Sequence, residues 1–103
     1  MERYAVEYRP AAMENLLEIA AYVFEQSQNI KTSEAYLDRI HRRCEKIGDA
    51  PFGGVARDDL APGIRMAVFE KSVIILYVVV DTAVWITNIF FGSRDYETLV
   101  TRP

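Results

Sequence analysis

Three apolar runs in the last third of the chain, residues 64–69, 73–80 and 83–91, restrict its fold more than anything else in the sequence. They are rich in β-branched and aromatic residues and are parted by Glu70-Lys71-Ser72 and by Asp81-Thr82. Polar breaks of that length between such runs have hairpin spacing, which predicts an antiparallel meander. In the middle run Ile74, Ile75, Leu76, Val78, Val79 and Val80 are all apolar, so both faces of that strand require cover. The last run gives way to Gly92-Ser93-Arg94-Asp95-Tyr96-Glu97, a polar segment placed where a small protein can carry a functional surface.

The first half supplies cover for one face. Tyr4-Ala5-Val6-Glu7-Tyr8 alternates weakly as a first strand, and Arg9-Pro10 ends it, since proline suits the first turn of a helix. From Ala11 to about Gln26, Leu16, Ile19, Ala20, Val23 and Phe24 recur at helical spacing, with Glu14, Glu18 and Glu25 mostly off the stripe. After the polar break Ser27-Gln28-Asn29, Thr32 or Ser33 is expected to cap a second helix, with Glu34 near its positive end. Its buried face is Tyr36, Leu37, Ile40, Cys44 and Ile47, its exposed face Arg39, Arg42 and Arg43, and Gly48 its stop. Residues 51–63, with Gly53, Gly54, Pro62 and Gly63, form a loop with one helical turn around residues 58–60. The order β-α-α-β-β-β gives an α+β fold, a helical hairpin packed on one face of a small antiparallel-rich sheet.

Length and charge bound the function. At 103 residues the chain is one domain, and its net charge of −3 disfavours a protein whose main business is gripping nucleic acid. The longest apolar run is far short of the roughly 20 residues that cross a bilayer, and no signal peptide is visible, so a cytoplasmic protein without membrane contact is expected. Cys44 is the single cysteine, which excludes an internal disulfide and a cysteine-based metal site.

Chemistry is scarce. His41 is the single histidine and has no acid–base partner by spacing, so it reads as solvated or half-packed. Cys44 reads as a small buried hydrophobe. Asp58-Asp59 lacks further metal ligands and reads as turn chemistry, and Gly53-Gly54 lacks the lysine and following helix of a phosphate loop. No cofactor and no metal is expected. Arg57, Arg65 and Arg94 stand out because they lie in or beside the sheet. Arg65 is either an edge guard or a ligand for a partner's carboxylate or phosphate. The second sheet face calls for a partner chain, or else for the 51–63 loop and the C-terminal tail.

Several segments taken together resemble the ParE branch of the ParE/RelE superfamily of bacterial toxin–antitoxin modules. They are residues 4–12, residues 16–23, Tyr36-Leu37-Asp38-Arg39-Ile40, residues 51–60, Pro62-Gly63-Ile64-Arg65 and residues 92–97, in order over nearly the whole chain. The resemblance implies the helical-hairpin fold and a type II toxin neutralised by a cognate ParD-like antitoxin in a hetero-oligomer. ParE-like members poison DNA gyrase, whereas RelE-like members cut messenger RNA on the ribosome. The position of a RelE-type catalytic arginine falls at about Ile74, and that of its catalytic tyrosine at about Val100. Without an acid–base pair two cations make a poor nuclease, so gyrase inhibition by binding is expected, with no enzymatic activity and no direct nucleic-acid binding. The alternatives are a ribosome-dependent endoribonuclease and a non-toxic antitoxin-binding relic. The residues expected to contact antitoxin or target are Arg57, Arg65, Arg94, Asp95 and Tyr96.

Overall fold

A computed structural model describes residues 3–91. Its elements are β1 (Ala5–Tyr8), α1 (Pro10–Ser27), α2 (Ile30–Asp49), β2 (Val55–Ala56), β3 (Arg65–Phe69), β4 (Val73–Val80) and β5 (Ala83–Phe91). The strands form one sheet in the order β1-β5-β4-β3-β2. The meander from β3 to β5 is antiparallel as expected, whereas β1 runs parallel to β5, with Ala5 opposite Ala83 and Tyr8 opposite Ile86. Two helices between β1 and the meander make this possible, because a parallel neighbour needs a long crossover.

The helices depart from expectation at their ends. Pro10 occupies the first turn of α1, and Gln28 ends it in a left-handed conformation (φ 54°) with its N–H on the Phe24 carbonyl. The cap of α2 is Asn29, not Thr32 or Ser33. Its Oδ1 accepts the Lys31 and Thr32 amides at 2.9 and 3.2 Å, which satisfies two orphan donors directly after α1 ends. Ser33 is instead buried in the helix–helix seam, where its hydroxyl donates to the Ala20 carbonyl at 2.9 Å. Gly48 does not stop α2, which continues to Asp49. It is the place where β1 crosses the helix: the Tyr4 N–H donates to the Gly48 carbonyl at 2.9 Å, and a Cβ there would lie 2.5 Å from the Tyr4 carbonyl oxygen.

Ile19, Ile40, Cys44 and Ile47 pack against Val73, Ile75, Tyr77, Val84, Ile86 and Ile89 to form the main core. Each such aliphatic side chain contributes roughly 1.5–3 kcal/mol when fully buried. Ile86 and Ile89 differ by an odd number of positions, so a regular strand would put them on opposite faces. A bulge resolves this. Tyr77 pairs with Ile86 and Leu76 with Asn88, leaving Thr87 unpaired with its hydroxyl on the Leu76 carbonyl.

The other sheet face is covered partly by the chain itself. Leu60 and Ile64, from the loop before β3, bury against Leu76 and Phe90, flanked by Met66, Ile74 and Val78. Near the β1 side, the Arg9 guanidinium lies over the Trp85 ring at 4.6 Å. Val68 and Val80 stay more than two-fifths exposed. The loop thus supplies part of the cover, and an apolar remainder stays open.

Candidate functional site

The loop that covers the outer face also builds the end of the sheet where two of the expected site residues lie. Its turn is closed by the Asp58 carboxylate, which accepts the Gly63 N–H at 2.9 Å, and by the Leu60 N–H on the Arg57 carbonyl. Residues 58–60 form turns and not a helical turn. Arg57 donates through Nε and Nη2 to both carboxylate oxygens of Asp59, at 3.0 and 2.8 Å, and reaches the Met66 sulfur with Nη1. Its side chain is only 15% exposed, while that of Asp59 is 60% exposed. The Arg57 hydrogen bonds hold the Asp59 carboxyl below its ordinary range. A bidentate pair of this kind fixes a planar cation beside the outer sheet face.

Arg65 lies on the opposite face, on the same side of β3 as Ala67 and Phe69. Its Nη1 donates to the carbonyls of Phe52 and Gly54, at 3.1 and 2.8 Å, and its guanidinium stacks over the Phe52 ring at 5.3 Å. Tyr77 fastens the same loop from β4, its buried hydroxyl donating to the Pro51 carbonyl at 2.9 Å and accepting the Gly54 N–H at 3.0 Å. The approach needs glycine at position 54, since a Cβ would collide with the Tyr77 hydroxyl and lie 2.9 Å from the Met66 carbonyl oxygen. Arg57 and Arg65 therefore occupy two surfaces separated by the sheet. Arg94, Asp95 and Tyr96 lie outside the described residues, as do Gly92, Ser93, Glu97 and Val100.

Between α2 and β3 lies a cleft of about 400 Å³ whose lining includes Arg43, Lys46, Gly54, Met66, Val68 and Tyr77. β2 pairs only with Arg65 and Met66, so among the described residues the outward edge of β3 from Ala67 to Phe69 has no strand partner. The Val68 carbonyl faces this edge and accepts Arg43 Nε at 3.3 Å. The sequence places Arg43 on an exposed face and offers an edge at β3 only as one of two readings of Arg65. The signal was the shortness of any strand-like stretch before Ile64.

Groups that could do chemistry are otherwise engaged. His41 is exposed, with Nδ1 3.0 Å from the Tyr8 hydroxyl and its ring stacked on Tyr8. Burial raises the Tyr8 hydroxyl far above its ordinary value and pushes the Cys44 thiol up to about 11. Among the described residues no cluster of three histidine, cysteine or acidic side chains could hold a metal ion, and no helix is long and apolar enough to cross a membrane. Ile74 is an apolar residue packed beside Leu60 and Ile64.

These features define a class: a small α+β domain in which a helical hairpin backs a mixed sheet with one apolar, cation-edged face partly open. The profile of the family described as "ParE toxin of type II toxin-antitoxin system, parDE" matches residues 6–96, and the chain belongs to that family. A solved structure titled "Chromosomal ParDE TA system from P. aeruginosa" is similar in fold, with a TM-score of 0.74 at 14% sequence identity over 88% of this chain and 98% of that one. A search of curated proteins returned no match.

Proposed function

We propose that this toxin-family chain inhibits DNA gyrase by binding it, and that a ParD-like antitoxin neutralises it by covering the outer sheet face and the open edge of β3. The observation that carries this reading is the incomplete cover of that face. Val68, 43% exposed, lies beside a strand edge that has no strand partner from Ala67 to Phe69 among the described residues, and Val80, 45% exposed, leaves the far end of the same face open at the β4–β5 turn. An extended antitoxin segment can pair with that edge and lay apolar side chains over Val68, while the held guanidinium of Arg57 meets a carboxylate at its margin. Arg94, Asp95 and Tyr96, which follow β5 in the chain, belong to the same proposed binding set. Arg65 enters it through the Phe52 loop that it holds.

Ile74 favours binding over RNA cleavage, because an aliphatic side chain offers no charge to a phosphorane. The test is expression of the chain with and without its antitoxin, with gyrase supercoiling and ribosomal messenger RNA cleavage measured in parallel. Loss of supercoiling with intact RNA, reversed by antitoxin, is expected. Cut RNA with normal supercoiling would overturn the reading, as would unimpaired growth.

A further inference from the structure

The open lane beside β3 is short and closed at one end. In a strand, the N–H and C=O of one residue point to the same side. The Val68 carbonyl faces Arg43, so the Val68 N–H faces the open edge as well, whereas Met66 is already paired with Val55 of β2. β2 occupies this lane antiparallel to β3. A segment that enters from the β3–β4 turn and runs antiparallel to β3 therefore meets Gly54 and Val55 head-on, about two residues or roughly 7 Å beyond Val68. That stop is held in place. The Tyr77 hydroxyl accepts the Gly54 N–H and donates to the Pro51 carbonyl, and Arg65 donates to the Gly54 carbonyl. The lane has no room for a strand that continues, but it fits one that ends.

Charge selects which end. The cleft of about 400 Å³ between α2 and β3 is lined by Arg43 and Lys46, neighbours one turn apart on α2, and by no carboxylate. Arg39 and Arg42 on the same helix are paired with Glu70 and Asp38, whereas neither Arg43 nor Lys46 forms an ion pair among the described residues. A segment running parallel to β3 would bring its terminal ammonium to these cations, and an antiparallel one brings its terminal carboxylate. A second copy paired edge to edge about Val68 would set Arg43 against its own counterpart, which disfavours self-association. The geometry points to a recognition site for the free C-terminus of an extended partner segment. Its main chain bridges Val68, its last apolar side chains lie against Ile47 and Val68, and its terminal carboxylate accepts from Arg43 and Lys46. This inference rests on the proposed reading of the β3 edge as a docking lane and is independent of the target that the toxin inhibits.

The full chain is titrated, without antitoxin or gyrase, with three labelled peptides, and binding is read by fluorescence anisotropy. The first has about six residues of alternating valine and threonine and ends in a free carboxylate, the second is its C-terminal amide, and the third continues for about three residues past that end. The free acid is expected to bind at least about tenfold more tightly than the other two, with the preference shrinking as salt rises. Arg43→Gln combined with Lys46→Gln removes the preference for acid over amide with an unchanged melting curve, since both side chains lie outside the core. Lys31→Gln, at the far end of α2, leaves the preference intact. Equal binding of the three peptides, binding of none, or a preference that survives the double variant would overturn the assignment. Equal binding would still leave strand addition by an antitoxin standing, so the two readings fail separately.

Discussion

Tyr77→Phe removes one oxygen and tests how the 51–54 segment is held. That hydroxyl donates to the Pro51 carbonyl and accepts the Gly54 N–H, and its residue is 1% exposed. Phenylalanine fills almost the same volume, so the cost comes from two backbone groups left without a partner and not from a cavity. An abandoned buried group costs about 1–3 kcal/mol; with one side of the loop open to water, about 2 kcal/mol in total is expected. For a domain of this size that lowers the melting temperature by roughly 8–16 °C. Arg65→Met cuts the other fastening, at the carbonyls of Phe52 and Gly54. Because both side chains restrain one segment, releasing it once makes the second loss cheaper. The double variant should fall short of additivity by about 0.5–1 kcal/mol. Urea unfolding of the four proteins gives the cycle, and hydrogen exchange at Gly54 reports the loop directly. A Tyr77→Phe protein within about 0.5 kcal/mol of wild type, with Gly54 still protected, would refute the clamp.

Gly48→Ala should destabilise by about 1–3 kcal/mol in thermal melts although alanine is the better helix former, because its Cβ meets the Tyr4 carbonyl oxygen and Val6; a rise in melting temperature would show that β1 is not seated there. Since Arg57 lowers the Asp59 carboxyl, the pair stabilises the fold above the unfolded value of about pH 4 and the contribution disappears as pH falls through the lowered value. Asp59→Asn should therefore flatten the acid side of a melting-temperature profile, and equal acid sensitivity of the two proteins contradicts the pairing. Cys44, fully buried and with its thiol raised to about 11, should react with a thiol reagent at pH 8 about a hundredfold or more slowly than in urea. Rapid labelling of the native chain would mean that the helix–sheet core opens readily.

Periodicity carried most of the fold. In the α1 stripe Leu16, Ile19 and Val23 do face the core, whereas Phe24, read into the same stripe, is 42% exposed; Ile40, Cys44 and Ile47 mark the buried face of α2, and the polar breaks at residues 70–72 and 81–82 mark where the meander turns. What stayed illegible depends on contacts distant in sequence. Nothing local to Ala5 or Ala83 announces a parallel pairing, and the Thr87 bulge shows only as the odd interval between Ile86 and Ile89. Locally Asn29 reads as part of a polar break with Thr32 or Ser33 as the cap, yet the abrupt end of α1 at Gln28 puts Asn29 within reach of the free amides. At the site, Arg57 and Arg65 read from the sequence as charges in or beside the sheet, and that is where they lie. Only the alternation along β3, together with the Asp59 and Phe52 contacts, reveals that they serve different surfaces.

The parallel pairing of β1 with β5 sets an order of events in time. A ribosome makes β1 first and β5 almost last, at about 5–20 residues per second, so seconds pass in which β1 has no strand to join. The helical hairpin relies on contacts close in sequence and can form early, while the sheet closes only when Ala83 to Ile86 become available. Until then Val84 and Ile86 cannot fill the core that Ile40 and Cys44 await. A nascent fragment cut short before β5 can pair β2, β3 and β4 but lacks the strand that joins them to β1 and completes the sheet under the hairpin.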